Sequence, residues 1–352
     1  MKAAVWYGKK DVRVMDVPEP PSPAPGWVKI KVHWCGICGS DLHEYLAGPI
    51  FIPVDAPHPL SGAKAPIILG HEFSGEIVEI GEGVKGWNVG DRVAPEASQR
   101  CGECYLCKRN MYNICDVLAF TGLMIDGAFA EYVNVPANTL FKIPDGVSME
   151  AGSLFEPMSV GVHAVNRAPL LAGDKVVIFG AGTIGLVTLQ AAIAAGAAET
   201  YVIEIAGDRK KMAAANGATL VIDPTETDPV AKVKEMTGGL GADIAFECIG
   251  NHKTAVTAID IVRKAGTIVL VGIFEQPSSV YFQNITFTEK KIMGSLVYNG
   301  EYETVAQYLK DGRMKAEPLI TGKIKLDDII EKGFNELVNN KDKNIKIIVE
   351  PK

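Results

Sequence analysis

The sequence of 352 residues has no run of about 18 uncharged apolar residues, the length that a membrane-spanning helix needs. It also has no basic excess, since 35 lysines and arginines stand against 42 aspartates and glutamates, for a formal net charge of -7. An acidic chain is not attracted to phosphate groups, so we expect neither a membrane nor a nucleic acid as a partner. Residues 1–6 lack the basic and then apolar run of a signal peptide, so we expect a cytoplasmic protein.

The length and the hydrophobic content of 47% predict two domains, because single cores stop growing near roughly 250–300 residues. In the first part, residues 28–32 alternate apolar and basic side chains, as a half-buried strand does. Residues 71–81 and 128–135 have the same short-strand character, and glycine and proline interrupt these runs often. We therefore expect an irregular β domain with long loops.

The pattern changes near Glu156, after which short apolar runs alternate with helical patterns. The predicted strands are Lys175–Phe179, 200–205, 220–223, 243–247 and 267–273, and the predicted helices are 183–195, 208–216, Pro229–Met236 and 254–263. This order predicts an α/β domain with a parallel sheet covered by helices on both faces. A helix at Tyr302–Lys310 and a strand at 345–349 complete the chain.

A glycine-rich motif follows the first of these strands and opens the first of these helices. In it, Gly180 would make a tight turn, Gly182 would let the backbone approach a pyrophosphate, and Gly185 would let the helix pack on the strand. Thr183 and Ile184 begin the helix, whose free N–H groups favour an anion. The motif predicts a dinucleotide site, and a glycine-rich helix start without a ligand is the alternative.

Two further positions bear on which dinucleotide is bound. Glu204 ends the next predicted strand, where a carboxylate accepts hydrogen bonds from an adenosine ribose and repels a 2′-phosphate. Arg209 is close in sequence to the same ribose position and is able to bind a 2′-phosphate, which weakens the inference. We expect NAD rather than NADP. Val271, Gly272 and Ile273 end a predicted parallel strand, where ligands gather.

Four of the seven cysteines, Cys101, Cys104, Cys107 and Cys115, lie within fifteen residues. Such close cysteines do not link distant parts of a fold, and four soft ligands with this spacing fit a closed tetrahedral zinc site. A full coordination shell leaves no open position, so the site is expected to be structural. A redox cluster and a nucleic-acid-binding zinc knuckle are the alternatives.

Other residues have the chemistry of a catalytic zinc site, which takes three protein ligands and keeps a fourth position open. They are Cys38, the neighbours His71 and Glu72, and Glu156. Sequence alone does not bring them together, because they span more than a hundred positions. Each also has a simpler interpretation, as a core histidine, a small buried cysteine or an ion-paired glutamate.

The motifs resemble those of the zinc-containing medium-chain alcohol dehydrogenases. The resemblance covers the whole chain and includes CGICGSD, GHE, the four-cysteine segment, FEP and GAGTIG, in the order of the family. It implies a GroES-like catalytic domain and a Rossmann domain. We expect residues 1–156 to form the catalytic domain, residues 157–294 the NAD-binding domain, and residues 295–352 to return to the catalytic domain.

The resemblance also implies roles for single residues. Cys38 and His71 match zinc ligands, Glu156 occupies the position of the third ligand, and Glu72 matches a residue that approaches zinc when water exchanges. Cys35 matches no ligand. The backbone that matches residues 271–273 holds the nicotinamide carboxamide in the family.

Three more side chains are placed by the resemblance. Asp41 matches a carboxylate that orients the zinc-bound histidine. Ser40 and His43 match a path that carries the alcohol proton to solvent. Lys346 matches a basic residue near the pyrophosphate in some relatives, although a plain surface lysine is the simpler expectation.

The stretch from Tyr45 to Ser61 is similar to the butanediol branch of the family, in which glutamate is frequent at the position of Glu156. The expected activity is hydride transfer between NAD and a small secondary alcohol, with (R,R)-2,3-butanediol and acetoin favoured and diacetyl reduction included. A sorbitol-type or threonine-type dehydrogenase and, more remotely, a non-catalytic zinc and dinucleotide sensor are the alternatives. Family members form homodimers or homotetramers, which we expect here too.

Overall fold

The computed structural model describes residues 1–352 and divides into two compact units. The first unit comprises Met1–Glu156 and Ile320–Lys352, and the second comprises Pro157–Leu319. The chain thus returns to the first unit at Ile320, whereas the sequence-based boundary lies at residue 295. The intervening segment stays with the second unit because it is hydrogen-bonded there, as between Glu301 and His163.

The N-terminal part of the first unit is rich in strands. Its elements are β1 (Lys2–Gly8), β2 (Asp11–Asp16), β3 (Trp27–Gly36), α1 (Gly39–Ala47), β4 (Ile67–Ile68), β5 (Glu72–Ile80), β6 (Arg92–Pro95), β7 (Ser98–Gln99), β8 (Ala119–Phe120), β9 (Tyr132–Pro136), β10 (Leu140–Lys142) and α2 (Met149–Gly152). Glycines and prolines between them give the loops that were expected from the sequence.

The second unit alternates strands and helices. Helix α3 (Phe155–Arg167) begins just before the boundary between the units. The elements that follow are β11 (Lys175–Phe179), α4 (Thr183–Ala194), β12 (Glu199–Ile203), α5 (Gly207–Ala215), β13 (Leu220–Ile222), α6 (Pro229–Met236), β14 (Ala242–Glu247), α7 (His252–Ile261), β15 (Val262–Leu270), α8 (Gln283–Thr286), β16 (Lys291–Gly294) and α9 (Tyr302–Lys310). The C-terminal segment adds β17 (Ile320–Lys325), a π-helical turn (Ile329–Phe334), α10 (Asn335–Asn339) and β18 (Lys346–Glu350).

The main sheet of the first unit has seven strands in the order β10-β6-β5-β3-β18-β17, with β9 paired to β3. Strand β3 is central, and its alternating pattern buries Val28, Ile30 and Val32. They pack in a core with Phe73 and Phe334. A smaller sheet, β2-β1-β4, belongs to the same unit. The core fixes the ends of β3 and β5, and the candidate metal ligands lie at these ends.

The sheet of the second unit has six parallel strands in the order β13-β12-β11-β14-β15-β16. Numbered within the unit, this is the order 3-2-1-4-5-6 of a Rossmann fold, so the α/β prediction is confirmed. Strand β15 ends at Leu270, earlier than expected, and residues 271–273 follow it. No helix of the structure is both long enough and apolar enough to cross a membrane.

Candidate active site

Three potential metal ligands meet where β3, α1 and β5 come together. Cys38 is the residue before α1, His71 precedes β5, and Glu72 begins β5. One ligand atom from each lies within 4.8 Å of the others. His71 and Glu72 are only 2% and 1% exposed. The structure therefore brings together residues that are more than thirty positions apart.

Burial controls the charge at Cys38. Desolvation and the nearby Glu72 carboxylate raise the pKa of the Cys38 thiol to about 12, whereas the Lys346 ammonium opposes the shift. A thiolate at this place therefore needs a cation beside it. A soft sulfur donor, an imidazole and carboxylates in one buried group are ligands that zinc prefers. The donor set fits a zinc ion.

The imidazole of His71 lies between two polar side chains. Its Nδ1 is 3.6 Å from Oδ1 of Asp41, and its Nε2 is 3.3 Å from Oγ of Ser40. The other oxygen of Asp41 accepts a hydrogen bond from the backbone N–H of Cys38 at 2.9 Å. Burial raises the pKa of Asp41 to about 6, while His71 and the N–H of Cys38 act in the opposite direction. Asp41 thus connects two of the potential ligands.

Glu72 is held from the other side by a lysine of β18. The ammonium of Lys346 lies 2.7 Å and 2.6 Å from the two carboxylate oxygens of Glu72, and it donates to the carbonyl of Ile37 at 2.9 Å. Lys346 is 2% exposed, so the expectation of a surface lysine was wrong. The sequence signal was its place in an otherwise apolar strand, which predicts burial on both faces.

Glu156 lies in the first turn of α3 and is 6% exposed. Its carboxylate is not within the 4.8 Å group formed by Cys38, His71 and Glu72. Desolvation raises the pKa of Glu156 well above its usual range, and the neighbouring charges of His71, Glu72 and Cys38 act on it as well. A buried carboxylate in this environment is stabilised as an anion only by a nearby cation.

Helix α1 carries the two residues of the expected proton path. Ser40 is in its first turn, with its hydroxyl near His71, and His43 follows one turn later and is partly exposed. Residues three apart on a helix share a face. The hydroxyl of Ser40 therefore lies beside a potential ligand, and His43 lies one turn further along the same helix.

The four clustered cysteines form a second group. The Sγ atoms of Cys101, Cys104, Cys107 and Cys115 all lie within 4.8 Å of one another, and three of the pairs are separated by 3.5, 3.9 and 4.0 Å. Tetrahedral zinc with sulfur ligands at 2.3 Å separates the sulfurs by about 3.8 Å. All the cysteines are free thiols. The group fits a structural zinc ion rather than disulfides.

The glycine motif in the second unit has the expected geometry. Gly180 has a φ of +92°, which favours glycine, and Gly182 is the residue before α4. A Cβ on Gly185 would lie 1.9 Å from the carbonyl oxygen of Gly180, so only glycine fits there. Thr183 and Ile184 begin the helix. The N-terminus of α4, where the dipole of a helix favours an anion, therefore lies at the end of the motif.

Glu204 follows β12 and is 8% exposed. Its carboxylate accepts hydrogen bonds from the backbone N–H of Ala181 at 2.8 Å and from those of Ile205 and Ala206 at 2.8 Å and 2.9 Å. Arg209 lies on α5, with its guanidinium 3.6 Å from the place of a Cβ on Gly182. The structure thus brings the carboxylate, the arginine and the glycine motif together.

Residues 271–273 turn away from β15 beside Glu247. The carbonyl of Glu247 accepts hydrogen bonds from the N–H groups of Val271 and Gly272, both at 2.9 Å. Its carboxylate accepts from the N–H of Gly250 and from the hydroxyl of Thr254. Glu247 stands outside every motif, and its position at the end of a buried strand was its only sequence signal. Ile273 is exposed.

Comparisons with known proteins agree with both halves of this description. Residues 24–145 match the family model of the alcohol dehydrogenase GroES-like domain, and residues 183–311 match that of the zinc-binding dehydrogenase. The chain is 45% identical over 353 aligned residues to (R,R)-butanediol dehydrogenase of Bacillus subtilis, covering 100% of both chains. It is 38% identical to (R,R)-butanediol dehydrogenase of Neisseria gonorrhoeae, covering 100% of this chain and 99% of that one.

A solved structure, that of 2R,3R-butanediol dehydrogenase from Bacillus subtilis, is similar to the fold as a whole. The TM-score is 0.94 at 44% identity, and the match covers 100% of this chain and 99% of that chain. The chain belongs to the family of zinc-binding alcohol dehydrogenases. The chain is therefore an oxidoreductase, as the motifs indicated.

Proposed function

We propose that the protein is a zinc- and NAD-dependent dehydrogenase that interconverts (R,R)-2,3-butanediol and acetoin, and that it also reduces diacetyl. The identity of 45% over the full length to a butanediol dehydrogenase carries the choice of substrate. The group of Cys38, His71 and two carboxylates supports the class of reaction. Both compounds are small, and their interconversion exchanges a secondary alcohol for a ketone.

Cys38, His71 and Glu156 would hold the catalytic zinc, with Glu72 close by. The four clustered cysteines would hold the structural zinc. When bound, zinc polarises the oxygen of the alcohol or ketone, and the nicotinamide of NAD exchanges the hydride. The residues of this chain then have three tasks, which are to orient the ligands, to move a proton and to position the dinucleotide.

The proton task falls to Ser40 and His43. The hydroxyl of Ser40 faces Nε2 of His71, so it lies beside the potential metal ligands and near the substrate oxygen. His43 is partly exposed on the same helix and is suited to exchange the proton with solvent, because an unperturbed histidine titrates near pH 6.5. Asp41 would fix the orientation of His71.

The cofactor task falls to the second unit. The N-terminus of α4, which begins after Gly182, would face the pyrophosphate, and Glu204 would accept hydrogen bonds from the adenosine ribose. Its negative charge disfavours a 2′-phosphate, despite the nearby Arg209. The backbone of residues 271–273 would bind the carboxamide group of the nicotinamide. In this assignment the first unit is the catalytic domain and the second unit the NAD-binding domain.

We also propose that the protein is a homodimer or homotetramer. Strand β16 is an edge strand with one neighbour, and Phe282, Phe287 and Leu296 around it are 72%, 77% and 52% exposed. Exposed apolar side chains of this size are typical of interfaces. A cytoplasmic location is supported by the four cysteines, because thiols that bind zinc must remain reduced.

The test is a steady-state assay by NADH absorbance with zinc-replete protein. The substrates are (R,R)-, meso- and (S,S)-2,3-butanediol and sorbitol, each with NAD and with NADP. We expect the highest kcat/KM for (R,R)-butanediol with NAD. A preference for sorbitol would move the proposal to polyols while leaving the metal sites in place. No turnover of any alcohol would contradict the enzymatic role itself.

A further inference from the structure

The ammonium of Lys346 is saturated by acceptors inside the first unit. A lysine has three N–H donors, and here three acceptors surround them, namely both oxygens of Glu72 and the carbonyl of Ile37. The side chains of Lys346 and Glu72 are 2% and 1% exposed, so water does not compete for this pair. The pair is therefore a fixed part of the site.

The backbone of the CGIC motif leaves room for the pair. A Cβ on Gly36 would lie 2.2 Å from Oε2 of Glu72 and 3.3 Å from Cδ of Lys346. Any larger residue at position 36 would push the carboxylate from its place. Glycine before the ligand Cys38 thus allows Glu72 to lie against Lys346.

The two carboxylates of the site are in different situations. Both oxygens of Glu72 are engaged by one cation, whereas the buried Glu156 accepts no hydrogen bond and is influenced by the charges of Cys38, His71 and Glu72. Glu72 nevertheless has an oxygen within 4.8 Å of the donor atoms of Cys38 and His71. Glu72 is therefore close enough to complete a set of three ligands, the place that the proposed function gives to Glu156.

Charge decides between them. A divalent ion and Lys346 together balance the thiolate of Cys38 and the carboxylates of Glu72 and Glu156. Without the lysine, Glu72 would have only the metal as a counter-ion, and a carboxylate oxygen is a good zinc ligand. Four protein ligands would close the position that a substrate needs.

We propose that Lys346 is a positioning residue that keeps Glu72 from coordinating the catalytic metal, so that Glu156 is the third protein ligand and the fourth position stays open. The inference rests on the zinc site of the proposed function. It assigns to Lys346 the choice between two nearby carboxylates, a role distinct from binding either substrate or cofactor.

The first experiment compares the full-length Glu72→Gln and Glu156→Gln variants by zinc content after dialysis. We expect Glu72→Gln to keep the two zinc ions of the wild type and Glu156→Gln to keep only the structural one. The opposite pattern would overturn the proposal. Wild-type protein that holds only one zinc ion would instead refute the catalytic zinc site itself, which separates the two failures.

The second experiment measures access to the open position. Cobalt is exchanged into the catalytic site, and imidazole is titrated as a probe ligand by visible absorption. We expect Lys346→Met to bind imidazole at least about tenfold more weakly, because Glu72 then occupies the position. The double variant Lys346→Met/Glu72→Gln should return to the wild-type affinity, and Lys346→Arg should stay near it.

A purely structural role of Lys346 would give a different result. If Lys346→Met lowered the imidazole affinity by disturbing the fold, adding Glu72→Gln would not restore that affinity. The thermal midpoints of all variants are therefore measured as well. Equal imidazole affinity in wild type and a folded Lys346→Met would overturn the proposal. If Lys346→Met does not fold, Lys346→Gln, which keeps a hydrogen-bond donor but loses the charge, replaces it in the titration, and an imidazole affinity equal to that of the wild type would then overturn the proposal.

Discussion

Oδ1 of Asp41 lies 3.6 Å from Nδ1 of His71, and the two side chains are 0% and 3% exposed. The ring nitrogen that faces away from Asp41 is the one that faces Ser40. The carboxylate therefore lies on the side of the ring opposite the nitrogen that is the potential metal ligand, the arrangement in which a carboxylate orients a metal-binding histidine.

The first prediction follows from this pair. Asp41→Asn should lower the affinity for the catalytic zinc by about 10–100-fold, because the carboxylate no longer orients the imidazole and supports its basicity. The measurement is a chelator competition, with the structural zinc as an internal reference. Asp126→Asn is the matched control, since Asp126 also accepts a backbone hydrogen bond, from the N–H of Ile68, and lies outside both ligand groups. Equal zinc affinity in both variants would contradict the role of Asp41.

The second prediction concerns the proton path. His43→Ala should slow alcohol oxidation by about a hundredfold below about pH 8, where bulk hydroxide does not replace the lost base. Above that pH the difference from wild type should shrink. The measurement is a pH profile of kcat under conditions limited by chemistry.

A second histidine variant serves as the control for this profile. Nδ1 of His58 is bonded to the backbone N–H groups of Leu60 and Ser61, as in an ordinary loop histidine. His58→Ala should therefore leave the shape of the pH profile unchanged. An unaltered rate of His43→Ala at pH 7 would remove His43 from the path.

The third prediction separates the two zinc sites. Cys104→Ser should reduce the zinc content from two ions to one and lower the thermal midpoint, because the binding free energy of a structural metal contributes to folding. Cys248→Ser is the control, since Cys248 lies in the second unit and outside both ligand groups. Retention of two zinc ions by Cys104→Ser would argue against the four-cysteine site.

The fourth prediction concerns cofactor choice. Glu204→Ala should lower the preference for NAD over NADP by roughly tenfold to a hundredfold, because hydrogen bonds to a charged group are worth about 1.5–3 kcal/mol and the repulsion of a 2′-phosphate disappears. The ratio of kcat/KM for the two cofactors measures it. Glu226→Gln, at an exposed glutamate, should leave the ratio unchanged. An unchanged ratio in Glu204→Ala would show that Arg209 or another group sets the preference.

The fifth prediction tests the tight turn of the dinucleotide site. A methyl group at position 185 would overlap the carbonyl oxygen of Gly180, so Gly185→Ala should destabilise the fold by about 1–3 kcal/mol and weaken NADH binding. Gly207→Ala is the control, because nothing lies within 4 Å of a Cβ there. Denaturant unfolding and NADH fluorescence titration measure the two effects. Normal NADH affinity of Gly185→Ala would show that the packing of the helix against the turn does not position the dinucleotide.

Much of the molecule was predictable because its signals are local. The glycine motif from Gly180 to Gly185 lies on one strand–turn–helix, and the four cysteines lie within a single loop. Neighbours in sequence must be neighbours in space, so spacing alone predicts their geometry. The alternation of strands and helices after Glu156 likewise predicted a parallel sheet covered by helices.

Contacts between distant residues depended on the tertiary structure. Lys346 and Glu72 are 274 positions apart, and a lone lysine in an apolar run gives no sign of its partner. The predicted end of strand β15 at residue 273 and the predicted return of the chain at residue 295 differ from the observed positions, Leu270 and Ile320. Such boundaries depend on packing partners rather than on periodicity. The sequence by itself determined the four-cysteine group, the candidate ligands of the catalytic metal and the glycine motif of the dinucleotide site. Only the fold decided that Lys346 engages Glu72 rather than Glu156, because the buried ammonium needs a carboxylate beside it and strand β18 brings it to Glu72.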